Sequence, residues 1–193
     1  MENFKVRKLV DKFFREEAPK IVLYNEAGLQ HELAIYLRKS VCDVRLEYPI
    51  TSLDPMVDVK PIKKEIDIFV INKKEKVLIE LKFPRTKAGM PLEIYRAVED
   101  VRFGEEAIEH GKVNAFISVF MTDHRSITIG KNPNHLYRYF NHINKIKSIN
   151  NDNVALPKFM KGIRDIILKK DYIIEWKWLD NNGEKYKYYI VTN

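Results

Sequence analysis

The chain carries one cysteine, Cys42, among 193 residues. That excludes an intrachain disulfide framework and any zinc site built on clustered thiolates, and it suits a reducing compartment. Glycine is scarce at seven. Gly28, Gly104 and Gly111 stand apart and form no phosphate-cradling loop. No long hydrophobic run is present. The longest uncharged, mostly apolar stretch is Val113–Thr122, about half of the ~20 residues a membrane helix needs. Glu2 and Lys5 put charge where a signal peptide has its apolar segment. The expectation is a soluble, cytoplasmic protein with no membrane partner. Ser-His-Asp and Cys-His arrangements are also missing.

One absence is local. Residues 124–150 contain no Asp or Glu, yet hold Arg125, Lys131, Arg138, Lys145 and Lys147 with Tyr137, Tyr139 and Phe140 interleaved. Basic side chains among aromatics suit phosphate contacts and base stacking. The competing reading is an amphipathic helix over 134–147 with its aromatics packed inward. His124, His135 and His142 match no common zinc spacing.

What is present supports one domain spanning 1–193. The chain is 45% hydrophobic, enough for a sizeable core. Its 34 basic and 27 acidic residues give a net charge of +7, a balance that favours a polyanionic partner. Apolar residues at helical spacing predict a helix over 4–17. Asn25 can cap a second helix reaching Lys39, whose stripe is Leu29, Leu33 and Leu37. Residues 43–50 read as a strand. Ile66–Ile71 and Val77–Phe83 alternate in the manner of a hairpin around a polar stretch, Asn72–Lys76. Lys-Lys suits a two-residue turn poorly, so a wider loop or a bulge is an alternative there. A helix over 91–110, bounded by Pro91 and Gly111, leads to a buried strand at Val113–Met121. Strand, helix and strand at this spacing predict a parallel crossover. A short strand at 126–130 and a C-terminal hairpin, 172–179 with 185–191, complete a mixed α/β fold: a central β-sheet flanked by helices.

The hairpin carries the chemistry. With its turn centred between Lys73 and Lys74, paired residues sum to 147, and Asp67 lies opposite Glu80 with Lys82 on the same face. Two facing carboxylates destabilise a hairpin unless something compensates. A divalent cation would do so, and Mg²⁺ takes one or two carboxylates, waters and phosphate oxygens. Lys82 could offset the charge and orient a water. Solvated clusters of this composition are common, but apolar residues on both faces of these strands argue for a covered site.

These residues resemble the PD-(D/E)XK nuclease superfamily of restriction-endonuclease-like enzymes. The pattern is Glu65-Ile66-Asp67, twelve intervening residues, then Glu80-Leu81-Lys82. Ile66 stands where a proline is frequent. The resemblance covers about residues 22–123, leaving 124–193 as basic helical and hairpin additions. It implies a restriction-endonuclease-like core and metal-dependent hydrolysis of DNA phosphodiester bonds with Mg²⁺, or Mn²⁺ as a substitute. Asp67, Glu80 and the backbone carbonyl of Leu81 would be metal ligands. Lys82 would position or activate water. A helical glutamate would complete the site; Glu26 shares the apolar stripe and is preferred over Glu32. Arg85 and Lys87, just beyond the motif, and Arg125, Lys131 and Arg138 would contact nucleic acid. Double-strand cutters of this kind often act as homodimers. The runner-up is a catalytically silent nucleic-acid-binding protein on the same fold. A third reading, a protein-interaction module using 134–147, leaves the carboxylates unexplained.

Overall fold

The computed structural model describes residues 5–41, 43–53, 65–85, 89–124, 144–149, 160, 162–181 and 183–193. The predicted strand at 126–130 lies outside them, as do Lys87, Arg125, Lys131, Arg138, His135 and His142. No described helix is long and apolar enough to cross a membrane.

A six-stranded mixed sheet organises the chain. Its strands are β1 (Asp43–Pro49), β2 (Glu65–Asn72), β3 (Glu75–Lys82), β4 (Ala115–Thr122), β7 (Lys177–Asn181) and β8 (Glu184–Thr192), in the order β1-β2-β3-β4-β8-β7. Only the β3–β4 pair is parallel. The helix α3 (Met90–Glu109) makes that crossover. Two further strands, β5 (Asn144–Ile149) and β6 (Ile166–Ile174), form a separate antiparallel ribbon.

Each sheet face has its own core. On one, α1 (Lys5–Lys12) and α2 (Glu26–Arg38) pack on Ile68, Val77, Ile79 and Leu81. On the other, α3 and the β5–β6 ribbon cover Phe69, Leu78, Phe116 and Phe120. This explains why every residue of β4 is buried. The α2 stripe of Leu29, Leu33 and Leu37 is fully buried. Asn25 starts that helix, its side-chain oxygen accepting from the Gly28 N–H at 2.7 Å, a cap worth about 1 kcal/mol. Helix α3 sits unusually close to β4. A Cβ on Gly104 would lie 2.3 Å from the Phe116 ring, so only glycine fits there.

The central hairpin has the register expected of it, with Ile68 opposite Ile79 and Asn72 opposite Glu75. Its loop is the tight two-residue one. Lys73 takes a left-handed φ of 58° to close it, at a cost of roughly 1–2 kcal/mol.

Two expectations are corrected. The helix over 134–147 cannot include its last residues, because Asn144–Ile149 is a strand paired with β6. β-Branched residues suit a strand better once a partner strand is available. The single strand at 172–179 is in fact two, broken at Glu175 and Trp176, and its halves belong to different sheets. Trp176 packs edge-on against Tyr189 at 5.1 Å. Trp178 is exposed, with the Lys187 ammonium 4.7 Å from its ring centre. The hairpin that closes through Gly183 therefore pairs only β7 with β8.

Candidate active site

Asp67 is released from both neighbouring strands. Pairing of β1 with β2 passes from Leu46–Ile68 to Tyr48–Ile66 and omits Glu47–Asp67. Glu47 has a positive φ of 45°, an unfavourable conformation for a residue with a Cβ. On the other side the β2–β3 ladder stops at Ile68–Ile79, one pair short of Asp67–Glu80. Side chains replace the missing ladder bonds. The Asp67 carboxylate accepts from the Leu81 N–H at 2.7 Å. Its backbone carbonyl accepts from Gln30 Nε2 at 2.6 Å, and the same amide donates to the Glu47 carboxylate at 2.6 Å. Both ladders are thus interrupted at Asp67, the position that the hairpin register would set opposite Glu80. Local backbone strain of this kind is held only where surrounding contacts over-determine it.

Lys82 follows on β3. Its side chain is only 10% exposed. The ammonium donates to the Leu81 carbonyl at 2.7 Å and stands 3.4 Å from Glu26 Oε1 and 3.6 Å from Asp100 Oδ2. Glu26, at the first position of α2, also accepts from the Phe83 N–H at 2.8 Å. The structure therefore puts Glu26 rather than Glu32 against Lys82, because the start of α2 abuts the end of β3. Glu80 is completely buried and lies beside Ser118 in the parallel register with β4.

Two participants escaped the sequence reading. Asp100, in the middle of α3, is completely buried below Lys82. Its signal was an acid on the stripe Ala97, Asp100, Gly104, Ala107, whose steps of three and four point one helix face at the sheet. Gln30 gave a similar signal, as a polar residue on the leucine stripe of α2. Burial also pushes the Tyr189 phenol well above its ordinary range, and the negative charge of Asp100 adds to the rise.

Burial pushes the Glu26 carboxyl above its ordinary value. The Lys82 ammonium and the Phe83 N–H pull it part of the way back, while the Asp67 charge adds to the rise. A carboxyl raised on folding contributes stability below its ordinary pKa. That contribution is lost as pH rises through the raised value. Glu26→Gln, a neutral stand-in, is therefore expected to match or modestly exceed the parent in urea midpoint at pH 7, with the two converging toward pH 4. A lower midpoint for the variant at pH 7 would show that the charged carboxylate is the favoured form.

Arg85 is occupied. Its guanidinium pairs with Asp123 at 3.1 Å and Glu184 at 3.3 Å, and lies 5.8 Å from the Phe83 and Tyr186 ring centres. A phosphate there would compete with two carboxylates. Among the described residues, no three His, Cys, Asp or Glu side chains form a group able to enclose a metal ion. The candidate ligands along these strands are the Asp67 and Glu80 carboxylates and the Leu81 carbonyl, which here accepts from the Lys82 ammonium. This all-oxygen set suits Mg²⁺, which keeps several waters and shares substrate oxygens, rather than a metal needing a full protein cage. No family model, curated protein or solved structure matches this chain.

Proposed function

We propose that the protein is a metal-dependent DNA endonuclease on a restriction-endonuclease-like core. The observation that carries this reading is the release of Asp67 from both of its ladders, with a nearly buried Lys82 ammonium two residues beyond Glu80 on β3. A structural aspartate has no need of that arrangement, which sacrifices backbone pairing and tolerates a left-handed Glu47. The net charge of +7 suits a polyanionic substrate.

Asp67, Glu80 and the Leu81 carbonyl would hold Mg²⁺. When bound, the ion supplies charge stabilisation at a phosphoryl oxygen and lowers the pKa of a water. The chain's own residues do the rest. Lys82 places a positive charge at the mouth of the carboxylate pair, where it can orient an incoming water or a phosphate oxygen. Asp100 and Glu26 grip the ammonium from two sides and fix its position. Gln30 holds the Asp67 backbone, so the carboxylate is presented from a rigid support.

The test is incubation of the purified protein with supercoiled plasmid and with single-stranded circular DNA at low salt, in Mg²⁺, Mn²⁺ or EDTA. Cleavage in either metal and none in EDTA is the expected result. DNA binding without cleavage in any metal would favour the silent binding protein.

A further inference from the structure

Residues 21–25 connect the first helical region to α2 in an extended conformation. Ile21 has φ −112° and ψ 153°, and Asn25 has φ −160° and ψ 176°. Alternate side chains of an extended segment face opposite ways. Leu23 turns inward and is 3% exposed, whereas Val22 is 74% and Tyr24 61% exposed.

This is not a loose loop. Asn181 Nδ2 donates to the Ile21 carbonyl and Arg85 to the Tyr24 carbonyl at 3.5 Å, while the Tyr186 hydroxyl, whose single proton goes to the Glu184 carboxylate, lies 3.3 Å from the Leu23 carbonyl. Asn25 is fixed as the cap of α2. The Tyr24 ring edge lies along the first turn of that helix. A Cβ on Gly28 would come within 3.2 Å of Tyr24 Cζ and 3.3 Å of Cε1. The backbone is pinned and the ring is seated, yet the two apolar side chains stay in water.

The location of this pair gives it a use. Tyr24 is two residues before Glu26, a span of at most about 7 Å along the chain. Successive bases of a strand rise by about 3.4 Å. Glu26 in turn reaches the Phe83 N–H at 2.8 Å and the Lys82 ammonium at 3.4 Å, so Tyr24 lies on the same side of the molecule as the end of β3, within reach of a strand whose phosphate is held there.

We infer that Val22 and Tyr24 form a stacking platform for one unpaired base of the substrate strand, so that the protein selects single-stranded or locally opened DNA. This rests on the nuclease reading for the nature of the ligand. Aromatic side chains stack on any base and so give affinity without sequence preference. In a duplex, both faces of a base are covered by its neighbours, and a side chain gains its face only if the base leaves the stack. The site thus discriminates by strand state. Arg85 supports the platform by ordering the Tyr24 carbonyl, a positioning role compatible with its two carboxylate partners.

The test is fluorescence anisotropy with a mixed-sequence labelled single strand and its matched duplex, in Ca²⁺ and at low salt. The full chain is compared with Tyr24→Ala and Tyr24→Trp. Tyr24→Ala should weaken single-strand binding by roughly 5- to 150-fold, the range for one lost stack. Duplex affinity should be unchanged, and Tyr24→Trp should retain the single-strand affinity. Equal single-strand affinity for Tyr24→Ala and the parent overturns the inference, as does an equal loss on both forms of DNA. If the parent binds neither form, both this inference and the nuclease reading fail. If the platform effect is present but Mg²⁺ yields no cleavage, only the catalytic reading fails.

Discussion

On the proposed nuclease reading, Asp67→Asn is expected to fold like the parent and to cleave DNA slower by a factor on the order of a thousand, about 4 kcal/mol of lost transition-state stabilisation. The structural half of this expectation comes from the Leu81 N–H, which donates to the Asp67 side chain at 2.7 Å. An asparagine oxygen can accept that bond, and Gln30 continues to hold the backbone carbonyl. The chemical half comes from charge. An amide oxygen binds a divalent cation far more weakly than a carboxylate does, and the site has few other acids to replace it. Steady-state cleavage and a urea titration of the same preparation check both halves. Parent-like cleavage by a well-folded Asp67→Asn would remove this residue from the site.

Lys82→Ala carries a larger combined effect. On the same reading its activity should fall on a similar scale, because the ammonium proposed to orient water or phosphate is lost. Unlike Asp67→Asn, it should also unfold more easily. The Lys82 ammonium faces Asp100 at 3.6 Å, and Asp100 is completely buried. Removing one member of a buried ion pair typically costs about 3–5 kcal/mol. The double variant Lys82→Ala/Asp100→Asn should recover part of that stability while remaining inactive. A double-mutant cycle in urea measures the coupling directly. If the two single substitutions add, the pair does not act as a unit. From sequence alone Lys82→Ala is the obvious silent knockout; the buried acid beneath it makes Asp67→Asn the cleaner choice.

The contrast between those variants shows what could be read from the chain. The register of the β2–β3 hairpin was legible because apolar alternation on both strands and a polar centre at Asn72–Lys76 leave one pairing that buries both faces. Asn25 as a cap and Leu29, Leu33 and Leu37 as a core stripe were legible for similar local reasons. The release of Asp67 was not. It depends on a left-handed Glu47, and nothing about a glutamate announces positive φ. The partners of Arg85 were equally hidden, because Glu184 is 99 residues away in sequence and pairing over that range leaves no periodic trace. The strand β5 was hidden within the helix expected over 134–147, because its pairing with β6 leaves no local signal.

Gly104 touches neither carboxylate nor lysine, yet it sets how deep the site lies. Its missing side chain lets α3 rest directly on the Phe116 ring, and Asp100 stands one helical turn before that contact. Close-packed interiors transmit displacement instead of absorbing it. The glycine therefore acts as a mechanical datum: it fixes the height of α3 above the sheet, and with it the depth at which an acid meets the ammonium. Attempts to redesign this protein would therefore find little freedom at this chemically inert position beneath the site.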